Sequence, residues 1–205
     1  MQSPLRVHRI PFSTNVERIA LACGIKGVDV EWIEHDSSDR SALLALSGQE
    51  LAPVAEFGDD VVSDSPRILE RLELECPEPR LYPRDAADLA LVQIFIEWFN
   101  EVWKGPPNAL DDTYPNPHPA EGPLLRRIEG WTDRLDDRLS RTKYLFGDEV
   151  GAADVIAYPF LRYAVDEPAS ADEDPFHLIL HQVLSPGEHF GLDLWIGRMA
   201  GLPQA

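Results

Sequence analysis

The run Cys76-Pro77-Glu78-Pro79-Arg80-Leu81-Tyr82-Pro83 divides this chain of 205 residues into two parts with different periodicities. Prolines at 77, 79 and 83 fix φ and remove amide donors, so the segment is a stiff connector rather than a helix. Before it, strand and helix patterns alternate. After it, only helical patterns occur. The chain is therefore expected to fold as an α/β domain over residues 1–76, a linker at 77–84 and an all-helical domain over 85–205.

In the first part, Leu5, Val7 and Arg9 share one face of a short strand that Pro11 interrupts. Thr14 and Glu17 have capping-box spacing, and Val16, Ile19, Ala20 and Cys23 form the helical stripe behind it. Gly24 or Gly27 ends that helix. Val28, Val30 and Trp32 alternate with Asp29, Glu31 and Ile33 as a second strand, and a short helix runs from about Arg40 to Leu46. Strands at Val54 to Phe57 and Asp60 to Ser63 flank the turn Gly58-Asp59. Ser65-Pro66 reads as a cap followed by proline at the first helical position. The order β-α-β-α-β-β-α implies a small mixed sheet with helices against it.

Beyond the linker, helices are expected from Ala86 to Trp103, about Pro123 to Leu139, Ala152 to Tyr163, Phe176 to Leu184 and Leu192 to Ala200. Between them, Gly105 to Gly122, with Pro106, Pro107, Pro115, Pro117 and Pro119, and the acidic stretch Val165 to Pro175 read as long loops, either functional covers or tolerated insertions.

Composition excludes several functions. There are 36 acidic and 18 basic side chains, a formal charge of −18, which repels nucleic acid and anionic membrane surfaces. The longest apolar run, Leu89 to Phe99, falls short of the ~20 residues that span a bilayer, and the start lacks a signal-peptide core. Cys23 and Cys76 have no metal or disulfide spacing. Neither nucleic acid nor a membrane is expected as partner, and a cytoplasmic location is the simplest reading. Arginine in place of lysine, with Lys only at 26, 104 and 143, hints at a bacterium with a GC-rich genome.

Three short segments are candidates for chemistry. Ser13 stands where a strand passes into a helix, beside free amides and the positive end of the helix dipole. A Ser there serves as a cap or donates to an anion. Ala52-Pro53 precedes a strand. Most X–Pro bonds are trans, but a cis bond would expose the backbone of Ala52 to an extended ligand. Asp64-Ser65 opens a helix, where Ser65 and nearby amides either hold a carboxylate or cap the helix, and Asp64 either pairs with an amine or serves as a first-turn acid. His177 and His181 lie four apart, a spacing that can bind metal. They lack the His-Glu-x-x-His pattern, and a third ligand such as His189 would be required, so no metal is expected. Cys23 belongs to the core stripe, and Asp111-Asp112 and Asp172-Glu173-Asp174 read as solvated loop faces.

Taken in order, these segments resemble the glutathione S-transferase family over essentially the whole chain. Ser13-Thr14-Asn15-Val16-Glu17-Arg18-Ile19-Ala20 is similar to the Ser-x-Asn-Val-x-Arg-Val-Ala start of its phi-like serine members. Ala52-Pro53-Val54 stands in for the Val-Pro before its third strand, and Asp64-Ser65 for its Glu-Ser pair. Leu145-Phe146-Gly147 followed by Ala153-Asp154-Val155-Ile156 resembles its Leu-x-Gly then Ala-Asp-Ile pattern. Trp195 with Ile196, Arg198 and Met199 resembles its last helix. Two features depart from the pattern. Ile10 stands where other branches carry Ser or Cys before Pro-Phe, and Gly48-Gln49-Glu50 replaces the usual Asn-Pro-x-Gly-Lys run.

The resemblance implies a thioredoxin-like N-terminal domain and a helical C-terminal domain. It also implies a transferase with glutathione as co-substrate and a small hydrophobic electrophile as partner, commonly a homodimer. Ser13 would activate the thiol. Ala52 and Pro53 would pair with the cysteinyl part, Asp64 and Ser65 would hold the γ-glutamyl amine and carboxylate, and Arg40 would meet the glycine carboxylate. Phe12, Trp103 and Tyr114 would line the electrophile pocket. Because glutathione is anionic, its site must be a local exception to the charge of −18. Helix N-termini with Arg18 or Arg40 nearby would provide it, with the excess acid gathered in the helical half.

Overall fold

The computed structural model describes residues 3–112, 114, 121–172 and 174–205. The chain forms two compact units, Met1–Tyr82 with Leu202–Ala205, and Pro83–Gly201.

The first unit runs β1 (Leu5–Arg9), α1 (Thr14–Lys26), β2 (Val30–Glu34), α2 (Ser41–Ser47), β3 (Val54–Phe57), β4 (Asp60–Ser63) and α3 (Ser65–Glu75). Its sheet has the order β2-β1-β3-β4, with β1 parallel to β2 and the other pairs antiparallel. This is the thioredoxin-like arrangement. Leu5 and Val7 are buried, as are Ile19, Ala22 and Cys23 of α1 and Ile68, Leu69 and Leu72 of α3. A second cluster joins Ile10, Leu43 of α2 and Val54, with Leu46 and Ala52 packed on it. Beside it on β1 and β3, His8 Nε2 lies 2.8 Å from a Glu56 oxygen and His8 Nδ1 2.8 Å from His35 Nε2. An ionised Glu56 accepts from Nε2–H, leaving Nδ1 to accept from His35.

Two helix starts differ from the patterned ones by a residue. Ser13, not Thr14, caps α1: its backbone is extended (φ −64, ψ 116) and its hydroxyl accepts from Val16 N at 3.4 Å. Asp64, not Ser65, precedes α3. Gly27 closes α1 in the left-handed region at φ 62, where any Cβ is strained.

The linker is held by the end of α1. Lys26 Nζ, with no solvent exposure of its side chain, donates to Glu73 Oε2 at 2.7 Å, to the Cys76 carbonyl at 2.7 Å and to the Pro79 carbonyl at 2.9 Å. All three ammonium protons are thereby used. The proline segment through Tyr82 is consequently part of the first unit rather than a free connector. Leu202–Ala205, expected with the helical half, also belongs to the first unit. Ala205 N donates to Ala20 O at 3.0 Å, and a Cβ on Gly24 would meet Pro203 O at 2.2 Å, so the tail lies where only glycine leaves room.

The second unit contains α4 (Ala86–Trp98), a π turn Phe99–Trp103, α5 (Gly105–Asp111), α6 (Glu121–Leu139), α7 (Ala152–Leu161), a 3-10 turn Arg162–Ala164, α8 (Pro175–Leu184) and α9 (Phe190–Ala200). Its described residues include no strand. The proline-rich loop expected from Gly105 is corrected by α5, whose first turn contains Pro106 and Pro107. Proline suits that position because first-turn amides have no intrahelical acceptor. The rest of that expected loop, residues 115–120, lies outside the described residues, as does Glu173.

Every residue of α7 is buried. Asp154 in its first turn accepts from Leu145 N (2.9 Å), Trp195 Nε1 (2.8 Å) and Gly151 N (3.0 Å). It thus ties the incoming loop and α9 to the core helix. Burial pushes its carboxyl up to about 6, opposed by these donors. Asp172, expected as a solvated acid, is instead buried against His177 Nδ1 at 2.6 Å, with both side chains 2% exposed. His177 also stacks on Tyr163, and His181 Nδ1 lies 3.0 Å from the Tyr163 carbonyl. Both histidines are occupied in fixing this turn.

Replacing Lys26 by Met should cost about 3 kcal/mol in chemical denaturation, because Glu73 and two carbonyls lose a buried donor. A cost near zero would mean the linker is not held this way. Asp154 carries a pH signature. The folded state keeps its proton to about pH 6, whereas the ordinary value is 3.8. Between these values the folded form binds more protons, so ionisation of Asp154 removes stability as pH rises. The stability difference between wild type and Asp154→Asn should therefore shrink as pH rises from about 4 to about 6 and be flat above. A pH-independent difference would contradict the assignment.

Candidate functional site

The site is built at the N-termini of α1 and α3, which pack together. After β1, a turn in which Ser13 N donates to Ile10 O at 3.4 Å brings the chain into α1. Within this turn Phe12 takes φ 60 and leaves 47% of its surface exposed. Asp64, directly before Ser65, takes φ 76. These are the two non-glycine residues with positive φ among the described residues, and each immediately precedes a candidate hydroxyl. Such backbone is costly and concentrates at functional sites.

Ser13 is half-buried, and its oxygen caps α1 through a lone pair. A hydroxyl that accepts one N–H still has its own proton to donate. Capping and donation to an anion are therefore compatible at this residue.

The two helix starts are joined by Arg18, which is 1% exposed. Its Nη1 donates to Asn15 Oδ1 at 2.9 Å and to Ser65 Oγ at 3.0 Å. Burial pushes the guanidinium down to about 9, and the nearby Asp64 carboxylate pulls it back up. It remains a cation at neutral pH. Ser65 is 2% exposed, and in accepting from Arg18 it too keeps a proton for a further acceptor.

The Ala52-Pro53 bond is cis. Ala52 packs on Ile10, Leu43 and Val54, beside the turn that leads to Ser13. Neither its N–H nor its C=O has a backbone partner among the described residues. An unpaired, extended backbone next to a sheet is the geometry that pairs with a peptide-like ligand. Arg40 stands apart from this group: it precedes α2 and its Nε donates to the Ser37 carbonyl at 3.1 Å. Gln49 Nε2 is turned to the Leu51 carbonyl at 3.2 Å.

Of the expected electrophile-pocket residues, Tyr114 is 46% exposed in the helical unit. Trp103 is corrected: it has no solvent exposure and stacks on Phe99 at 4.5 Å and 9°, so it is a core side chain. Asn15 was missed, although its spacing of three from Arg18 is that of neighbours on a helix. Cys23, whose thiol burial pushes up to about 12, stays protonated and is no nucleophile. Among the described residues no group of three or more His, Cys, Asp or Glu side chains is placed to hold a metal ion. None of the described helices is long and apolar enough to cross a membrane.

The expected gathering of acid in the helical half does not occur, since acidic side chains outnumber basic ones about two to one on both sides of Pro83. The local exception is a single buried guanidinium and two helix ends.

Residues 7–80 match the family model described as glutathione S-transferase, N-terminal domain, and residues 125–176 the model described as glutathione S-transferase, C-terminal domain. The chain belongs to the glutathione S-transferase family. A probable glutathione S-transferase of Nicotiana tabacum is 28% identical over 149 residues, 72% of this chain and 64% of that protein. A maleylpyruvate isomerase of Ralstonia sp. is 36% identical over 73 residues, 34% of each chain. Among solved structures, poplar glutathione transferase F1 has a TM-score of 0.72 at 18% identity, covering 97% of this chain and 93% of that one. Beta-etherase LigF from Sphingobium sp. has a TM-score of 0.76 at 17% identity, covering 97% and 96%. Every thiol-site candidate of this glutathione S-transferase family member lies within residues 7–80. Asp154 lies within the second matched region.

If Arg18 organises the site, Arg18→Met should lower stability by about 3 kcal/mol and Ser65→Ala by about 1 kcal/mol. The double variant should fall short of the sum by about 1 kcal/mol in denaturant titrations. Strict additivity would remove the link between the two helices.

Proposed function

We propose that this protein is a glutathione-conjugating transferase in which Ser13 stabilises the glutathione thiolate for attack on a small hydrophobic electrophile. The observation that carries this reading is that Ser13 caps α1 with its oxygen, an arrangement that leaves the hydroxyl proton available to a further acceptor.

A free cysteine thiol has a pKa of about 8.5, so little of it is thiolate at neutral pH. A hydroxyl donating to sulfur, the positive end of α1 and the Arg18 cation each favour the anion. The thiol proton leaves to solvent and Ser13 O–H donates to S⁻. The sulfur lone pair then forms the C–S bond as the leaving group departs with its electron pair. Unlike Cys or Lys, Ser13 forms no covalent bond in this scheme. The free N–H and C=O of Ala52 beside Pro53 would pair with the cysteinyl backbone. Ser65, oriented by Arg18, would hold the γ-glutamyl carboxylate and Asp64 its amine. Arg40 would have to release the Ser37 carbonyl to reach the glycine carboxylate. Phe12, exposed in the turn before Ser13, is the proposed contact of the electrophile in the first unit. The proposal includes a homodimer in the cytoplasm.

With glutathione and 1-chloro-2,4-dinitrobenzene, Ser13→Ala should lower kcat/KM about 100-fold. Its pH profile should move toward the pKa of the free thiol, while the melting temperature still rises with glutathione. Unchanged turnover in the variant would remove Ser13 from the chemistry. If wild type neither binds glutathione nor conjugates the electrophile, the chain uses another low-molecular-weight thiol or only binds, and the proposal fails.

A further inference from the structure

Among the described residues, the turn between β2 and α2 (residues 36–40) makes hydrogen bonds only within itself and to α2. Asp36 accepts from Ser38 N and Oγ, Asp39 accepts from Ser41 N, and Arg40 donates to the Ser37 carbonyl. Its tie to the sheet is His35. That residue donates its backbone N–H to the Arg9 carbonyl at 2.9 Å, and its Nε2 lies 2.8 Å from His8 Nδ1. His8 is anchored in turn by Glu56 of β3. A carboxylate, a buried imidazole and a half-buried imidazole thus form a chain from the middle of the sheet to the turn that carries Arg40.

A hydrogen-bonded N···N contact holds a single proton between its two nitrogens. With the pair neutral, His8 donates from Nε2 to Glu56 and accepts at Nδ1 from His35 Nε2–H. With one extra proton on His8, both of its N–H groups find acceptors, Glu56 and His35 Nε2. The His35 hydrogen then sits on Nδ1, which has no protein partner among the described residues. A second extra proton sets N–H against N–H and breaks the contact. Burial, and after it the nearby His8, accordingly holds His35 below its ordinary value of 6.5. The charged groups around the pair provide for one cation, not two. Glu56 is shared with Arg6 at 2.9 Å, Arg6 also meets Glu31 of β2 at 3.5 Å, and Arg9 is paired with Glu34 at 2.9 Å. The turn adds Asp36, Asp39 and Arg40, and α2 contains no titratable side chain.

We propose that His35 is a pH-limited positioning residue: the His8–His35 pair latches the Arg40 turn to the sheet while it carries at most one extra proton, and a second releases it. In the released form His35 titrates at its ordinary value, so below 6.5 that form binds more protons than the latched one. Acid therefore favours release. The latch is at full strength above pH 6.5 and weakens as pH falls through that value. With Arg40 at the glycine carboxylate, release also lowers glutathione affinity, and this last step rests on the thiol reading above.

The full chain, isotope-labelled, is followed by NMR from about pH 7.5 to about pH 5.5 without glutathione. The His35 imidazole signals and the amides of residues 36–40 should move together in one step below pH 6.5. His35→Gln, whose amide donates to or accepts from His8 Nδ1 without titrating, should hold those amides still across the range. Glu56→Gln, which removes the anion beside His8, should move the step to lower pH. In calorimetry, glutathione binding should weaken across the same range by about fivefold more in wild type than in His35→Gln. The kcat for conjugation should keep one pH profile in both. Amides that stay still while His35 titrates, or that move equally in His35→Gln, overturn the proposal. So does an equal loss of glutathione affinity in the two proteins. An amide step present in wild type and lost in His35→Gln, with no glutathione bound at any pH, upholds the latch and removes the thiol reading instead.

Discussion

A guanidinium buried between two helix starts is the constraint on which the candidate site depends. Removing a charge this size from water is costly unless dipoles and counter-charge replace the hydration. Arg18 obtains them from Asn15, Ser65 and the Asp64 carboxylate. Those partners lie on α1 and at the start of α3, so solvating the cation forces the two N-termini together. Asp64, close enough to act on the guanidinium, holds φ at 76, a conformation that is costly for a non-glycine residue. The strain at Asp64 and the burial of Arg18 thus support one another, and both orient the Ser65 hydroxyl.

The same logic reconciles the overall charge with an anionic ligand. A field from −18 charges acts over distances that salt screens within ~8–10 Å. A buried cation and two helix N-termini act at contact, where screening is weak. The site needs no basic surface, and the sequence shows none. Two other buried polar groups, Lys26 and Asp154, play comparable parts elsewhere. Each gathers three backbone or side-chain partners and thereby fixes a segment that periodicity alone leaves loose.

The architecture was legible because it rests on local signals. Alternation in Val54 to Phe57 and Asp60 to Ser63, the stripe of Val16, Ile19 and Cys23, and the proline run after Cys76 depend on neighbours in the chain. Local pattern and structure part where a residue has two local meanings. Pro106 and Pro107 break a helix interior but suit its first turn, so α5 was hidden inside an expected loop. Asp172 looked like one more acid in a solvated stretch, and only the fold could bring His177 onto it. The family resemblance puts Trp103 in a pocket, whereas it stacks on Phe99 within a π turn that no local pattern announces.

By itself the sequence determined the two-part organisation, the strand order in time, the residue types available at Ser13, Ala52-Pro53 and Asp64-Ser65, and the family they resemble. These follow from dihedral preference, periodicity and spacing, which act within a few residues. Tertiary structure alone decided that the Ala52-Pro53 bond is cis, that Arg18 is a buried bridge rather than a surface charge, and that the last four residues pack with the first unit. These depend on groups distant in the chain, such as Arg18 and Ser65 or Ala20 and Ala205. Whether a charge is solvated, paired or idle is a property of what the fold brings next to it.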